Sequence, residues 1–119
     1  MDRIAKQMLQ VTVAHIGHRL RVSLEPEILI GRRDDSSGIS PQVDLTPYGA
    51  AGKGVSRQHA KIIARNDELF IEDMGSVNGT FLNGHRIDPY QALPLNSGDV
   101  VQLGTLVLQV YFDLPGLEK

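Results

Sequence analysis

The feature that most constrains this chain is how often its turn-forming residues recur. Twelve glycines and six prolines are spread through 119 residues, which leaves little room for a long helix. Between them lie short runs with a period of two. Leu9, Val11 and Val13 alternate with Gln10, Thr12 and Ala14, the pattern of a strand with one buried face. Gly17-His18 turns the chain, and Leu20, Val22 and Leu24 alternate with Arg19, Arg21 and Ser23, which predicts the returning strand. Ile28 and Ile30 follow Pro26 and end at Gly31. Near the C-terminus, Asn96-Ser97-Gly98 makes a turn. Val100, Val101 and Leu103 lead to Gly104, and Leu106, Leu108, Val110 and Phe112 repeat the alternation.

The middle of the chain needs more argument. Ser56 to Met74 holds no Gly or Pro and has the length of a helix. Asn66-Asp67 divides it, however, and Ile62-Ile63 and Leu69-Phe70-Ile71 favour extended backbone. Two strands, about 59–65 and 68–73, are predicted instead. Thr80–Leu82, Asn83-Gly84 and His85–Ile87 give the strongest hairpin signal, because Asn-Gly accepts the two positive φ angles of a type I′ turn. Arg33 to Gly54 reads as a long loop with a short strand at Val43–Leu45. Loops of that length in small domains are more often functional than idle. The expected fold is all-β: an antiparallel β-sandwich of about eleven short strands with no helix. Residues 9–113 form the domain, 1–8 a linker or extension, and 114–119 a tail.

Composition excludes several functions. Fourteen acidic against 12 basic residues give a net charge of −2, whereas sequence-independent nucleic-acid binding needs a positive field. The absence of cysteine removes disulfides, thiolate zinc sites and thiol nucleophiles. No apolar run is long enough to span a membrane, and Met1 to Gln10 does not read as a signal peptide. A cytoplasmic domain with no membrane partner is the expectation.

The unusual residues stand in connections. Gly31-Arg32-Arg33 follows a strand. Val55-Ser56-Arg57-Gln58-His59-Ala60 precedes one. Asp73-Met74-Gly75-Ser76-Val77-Asn78-Gly79-Thr80 runs on into Phe81-Leu82-Asn83-Gly84. Arg32 offers a planar fork of donors suited to phosphate. Ser56 adds a hydroxyl, and Lys53 and Arg57 add charge. Gly75, Ser76, Asn78 and Gly79 permit tight turns with exposed N–H groups. Each part alone is ordinary, since most surface arginines are merely solvated. Together, in one small β domain, they are the parts for holding a phosphate without chemistry.

These clusters resemble a forkhead-associated (FHA) domain. The third fixes eight letters in a window of twelve, Asp73-x-Gly75-Ser76-x-Asn78-Gly79-Thr80-x-x-Asn83-Gly84, and the likeness spans roughly Leu9 to Asp113. It implies an eleven-stranded sandwich with recognition loops at one end, binding phosphothreonine peptides in Ser/Thr kinase signalling. It implies no enzyme activity and no cofactor. Arg32 matches the phosphate-binding arginine, and Ser56 the serine that bonds the same phosphate. Arg57 matches a position that often adds a phosphate contact. Asn78 matches the residue that holds the peptide backbone, with Ser76 and Val77 beside it in the binding loop. Gly31, His59 and Gly79 match positions that support the loops, as does Gly75. The implied partner is a Thr-phosphorylated protein, a Ser/Thr kinase or its substrate.

Two departures bear on affinity and preference. Many members have threonine before the asparagine, where this chain has Val77, so a hydroxyl is lost and weaker binding is expected. Some carry an arginine two residues before the serine that selects an acidic residue in the peptide. Gly54 stands there, so that preference is not expected.

The same residue types also suggest other functions. Ser56, His59 and Asp73 are the residue types of a hydrolase, but there is no nucleophile elbow. His15 and His18, with His85 or Asp34, are metal ligands by type, but two histidines flanking a hairpin turn are more often solvated. Arg19, Arg21, Arg32 and Arg33 lack the interleaved aromatics of a nucleic-acid platform. Thr46, before Pro47, is the one exposed threonine that could serve as an internal phosphorylated ligand, because Thr12, Thr80 and Thr105 fall in predicted strands. The main alternative is a phosphate-independent interaction or scaffold domain.

Overall fold

The computed structural model describes residues 7–113; the proposed tail and most of the N-terminal extension lie outside them. Eleven strands follow in order: β1 Met8–Val13, β2 His18–Ser23, β3 Glu27–Gly31, β4 Val43–Asp44, β5 Gln58–Arg65, β6 Glu68–Asp73, β7 Thr80–Leu82, β8 His85–Arg86, β9 Leu93–Leu95, β10 Val100–Leu103 and β11 Leu106–Tyr111. They form a six-stranded sheet, β2-β1-β11-β10-β7-β8, and a five-stranded sheet, β4-β3-β5-β6-β9. The period-two runs explain the packing. Leu9, Val11, Val13, Leu106, Leu108 and Val110 turn to one side of their sheet and are fully buried. They meet Ile28, Ile30, Ile62 and Ile71 from the other sheet, also fully buried. Burying each such side chain contributes roughly 1.5–3 kcal/mol.

Turn chemistry sets the register. Asn66 and Asp67 have φ of 54° and 63°, so the Ser56–Met74 stretch folds back as a two-residue hairpin rather than a helix. Asn83 and Gly84, at 49° and 88°, make the other predicted tight turn.

Four expectations need correction. β4 pairs with β3 in parallel, Ile30 opposite Val43, so the second sheet is mixed. The chain reaches β4 by a loop along the sandwich end instead of a hairpin, which brings it back in the same direction. β9 did not stand out in the sequence because Pro94 interrupts it. It pairs with β6 alone at the sheet edge, where a missing N–H is tolerated. A single 3₁₀ turn, Thr46–Tyr48, breaks the long loop. Thr105, expected within a strand, stands exposed in the β10–β11 turn.

Candidate functional site

The three sequence clusters meet at one end of the sandwich, and Gly31 is the hinge of that meeting. Ile30 pairs with Ala60, but Gly31 pairs with Gln58, so β5 carries one extra residue, His59. This bulge turns both His59 and Ala60 inward, against strand alternation. It also brings the start of β5 hard against β3. A Cβ on Gly31 would overlap the Arg57 carbonyl oxygen, so this close approach requires glycine.

Arg32 follows from that hinge. Its N–H donates to Arg57 O at 3.3 Å, and its Nε donates to Val55 O at 2.7 Å. The second bond aims the guanidinium and leaves its terminal nitrogens for a ligand. The neighbouring arginines differ. Arg33 Nε faces Asp44 at 3.4 Å and Arg57 Nε faces Asp34 at 3.3 Å. Among the described residues no carboxylate pairs with Arg32. Arg32, Ser56, Arg57, Gln58, Val77 and Ile39 line a hollow of about 440 Å³.

Ser56 is held by His59. The Ser56 N–H donates to His59 Nδ1 at 3.0 Å, and His59 Nε2 lies 2.8 Å from Gly79 O. An amide facing Nδ1 and a carbonyl facing Nε2 define the neutral Nε2–H tautomer. His59 is fully buried. Burial pushes its pKa below the ordinary 6.5, with the Gly79 carbonyl and Asp73 opposing. Both ring nitrogens are therefore committed to backbone, so His59 is not placed to act as a base on the Ser56 hydroxyl. Ser56 Oγ accepts from Val77 N–H at 3.3 Å, which leaves its own proton to donate.

Asp73 builds the third loop. Oδ2 accepts from the N–H groups of Gly75 and Ser76 at 3.0 and 3.2 Å. Oδ1 accepts from the hydroxyls of Ser76 and Thr80, both at 2.6 Å. Burial raises the carboxyl's pKa, but these bonds outweigh it and hold the group below the usual 3.8. Ser76 Oγ also accepts from Gly79 N–H at 3.0 Å. The Ser76 hydroxyl, expected at the peptide, is engaged inside the loop. Val77 is 83 % exposed at the loop tip.

Asn78 reaches the other way. Its Nδ2 donates to Gly54 O at 3.0 Å, which leaves its amide oxygen for a ligand. Gly54, at φ 81°, has no room for a Cβ beside that amide. Asn78 lines a second hollow, of about 490 Å³, with Lys53, Gly54, Phe81, Gln102 and Thr105. The β10–β11 turn closes this side, since Thr105 N–H donates to Lys53 O at 2.9 Å and Gly104 N–H to Gly79 O at 3.1 Å.

The structure thus gathers Arg32, Ser56, Arg57 and Val77 around one hollow and sets Asn78 beside the next. Gly31, His59 and Gly79 form the internal frame. Sequence reasoning missed the Asp34–Arg57 pair and the bracing by Asp73. The Asp-x-Gly-Ser spacing was the available signal for the latter, because Asp readily bonds backbone N–H groups two and three residues on. Tyr90 was also missed; its hydroxyl donates to Met74 O at 3.2 Å over Gly75. The Thr46 hydroxyl is engaged on both sides: Oγ1 accepts from Arg33 N–H at 2.8 Å, and the side chain also bonds Asp44. Among the described residues there is no group of three or more potential metal ligands, and no helix long and apolar enough to cross a membrane.

Comparison with known proteins places this chain in a family. The FHA domain profile matches residues 28–104, and the chain belongs to that family of phosphopeptide-binding modules. It is 33 % identical over 110 residues to Protein FraH of Nostoc sp., covering 83 % of this chain and 37 % of FraH. It is 32 % identical over 107 residues to the FHA domain-containing protein FhaB of Mycolicibacterium smegmatis, covering 90 % of this chain and 61 % of FhaB. The chain thus spans less than two-thirds of either relative. Among solved structures, an FHA domain studied for phosphothreonine-dependent interactions superposes with a TM-score of 0.68 at 26 % identity, covering 89 % of this chain and 97 % of that one. The FHA domain of FhaA, complexed with the intracellular domain of a partner protein, gives 0.65 at 27 %, covering 86 % and 98 %.

Proposed function

We propose that this chain is a non-catalytic reader of phosphothreonine in partner proteins, with the phosphate held by Arg32 and Ser56. The carrying observation is the state of Arg32. Its Nε is fixed on Val55 O, no carboxylate among the described residues neutralises it, and it shares a hollow with Ser56. A phosphothreonine brings about −1.5 to −2 charges and three strong acceptor oxygens. Charge-assisted bonds from Arg32 and Ser56 would contribute roughly 1.5–3 kcal/mol each. Arg57 adds a second cation at the rim. Asn78 Oδ1 would take a peptide N–H and fix the strand's direction across the end. Val77 and Asn78 are the neighbours that would contact the threonine methyl group. Because the loops are already tied together, little ordering cost falls on binding.

The test is a titration of phosphothreonine, phosphoserine and unmodified threonine peptide pools against wild type and Arg32→Ala. Binding confined to the phosphothreonine pool and lost in the variant supports the proposal. Equal binding by the variant, or none that depends on phosphate, sinks it and favours a phosphate-independent interaction domain. The phosphorylated partner is taken to be a Ser/Thr kinase or its substrate, met in the cytoplasm.

A further inference from the structure

The loop that walls one side of the phosphate hollow carries an anion of its own. Asp34 and Ile39 exchange two backbone hydrogen bonds, at 3.0 and 3.1 Å, and pinch residues 34–39 into a tight turn. Ile39 faces the hollow. Within the turn the two carboxylate oxygens of Asp34 have different partners. Oδ1 accepts from Ser36, from its Oγ at 2.8 Å and its N–H at 3.3 Å. Oδ2 accepts from Ser37 Oγ at 2.6 Å and faces Arg57 Nε at 3.3 Å. Ser37, and not Ser36, therefore shares an oxygen with the arginine that lines the hollow. Both serines are exposed.

Arg57 is loosely engaged as it stands. Its side chain is 55 % exposed, and an exposed ion pair of this kind is weak. A phosphate on Ser37 would be a stronger partner, with higher charge and three acceptor oxygens. It would start from the atom that now touches Asp34 Oδ2, so Arg57 needs little movement to reach it. Repulsion between phosphate and carboxylate would release Asp34 at the same time.

We infer that Ser37 is a phosphorylation site, and that its phosphate captures Arg57 as an internal ligand and lowers affinity for a phosphorylated partner. The effect on partner binding rests on the reader function proposed above; the phosphoserine–Arg57 contact does not. In the modifying step a protein serine kinase transfers the γ-phosphoryl group of ATP to Ser37 Oγ. The Oγ–P bond forms as the bond to the β-phosphate bridging oxygen breaks; ADP departs and the hydroxyl proton passes to solvent. Two negative charges then stand at the rim, opposing an incoming dianion.

The experiment uses the full chain with phosphoserine installed at position 37 by codon reassignment, and at position 36 as a control. Phosphothreonine peptide pools are titrated into both and into unmodified protein. The phosphorus resonance of phosphoserine 37 is followed against pH, with Arg57 intact and as Arg57→Ala. The expected result is about tenfold weaker peptide binding for the position-37 form and a smaller change at position 36. The phosphate should also titrate at lower pH with Arg57 present than without it. Unchanged peptide affinity at position 37, or a titration indifferent to Arg57→Ala, overturns the inference. If unmodified protein binds no phosphothreonine peptide, the reader function and the regulatory effect both fall, and the phosphorus titration alone decides the Arg57 contact.

Discussion

Replacing His59 by Phe tests whether one neutral imidazole holds the recognition loops in place. The ring is fully buried, and phenylalanine keeps most of its shape while deleting both nitrogens. Two backbone groups lose a bond: the Ser56 N–H on Nδ1, and the Gly79 carbonyl on Nε2, which keeps only the Gly104 N–H. A buried polar group left unsatisfied costs about 1–3 kcal/mol. Only the Ser56 N–H is left unpaired, and it is partly buried, so the loss should be about 1–3 kcal/mol. That is a large share of the roughly 5–15 kcal/mol that holds a small domain folded. Urea denaturation should show it as a lower midpoint with an unchanged slope. The pH dependence supplies a second reading. Burial lowers the folded pKa of His59 below the ordinary 6.5, so just under that pH the unfolded chain binds more protons than the folded one. The contribution is therefore complete above 6.5 and is lost as pH falls through the folded value. Its slope is at most about 1.4 kcal/mol per pH unit, and His59→Phe should remove it. A variant that loses under about 0.5 kcal/mol, or keeps the same slope below pH 6.5, would refute this account of the clamp.

Three further outcomes follow from the same geometry. Gly31→Ala should destabilise the domain by about 1–3 kcal/mol in thermal unfolding, because its Cβ meets the Arg57 carbonyl; wild-type stability would mean the strands separate at no cost. Asp73→Asn should cost about 1–3 kcal/mol in urea, since an amide cannot accept all four donors that the carboxylate does. The depressed pKa of Asp73 means that its stabilisation is present above pH 3.8 and is lost as pH falls through the lower folded value; an acid titration of the wild type that matches Asp73→Asn would exclude that contribution. Ser56→Ala should leave melting nearly unchanged and weaken phosphothreonine peptide binding about tenfold or more by isothermal calorimetry; full affinity in the variant would remove Ser56 from the phosphate contact.

Local chemistry alone determined most of the strands and two of the tightest turns. A period of two shows which face of each strand is buried, and Asn-Asp and Asn-Gly accept positive φ without help from the rest of the fold. The three loop clusters were legible for a similar reason: their residue types are costly or unusual outside a specific role. Tertiary structure decided the remainder. The bulge that turns His59 inward depends on β3 and β5 approaching closely at Gly31, and that approach is not visible in either strand alone. Pro94 reads as a break until β6 provides an edge for it to lie against. The arginines look alike in one dimension, yet Arg33 and Arg57 find carboxylates and Arg32 finds the Val55 carbonyl. Which cation stays available to an anion depends on distances across loops far apart in the chain, and residue order does not encode those distances locally.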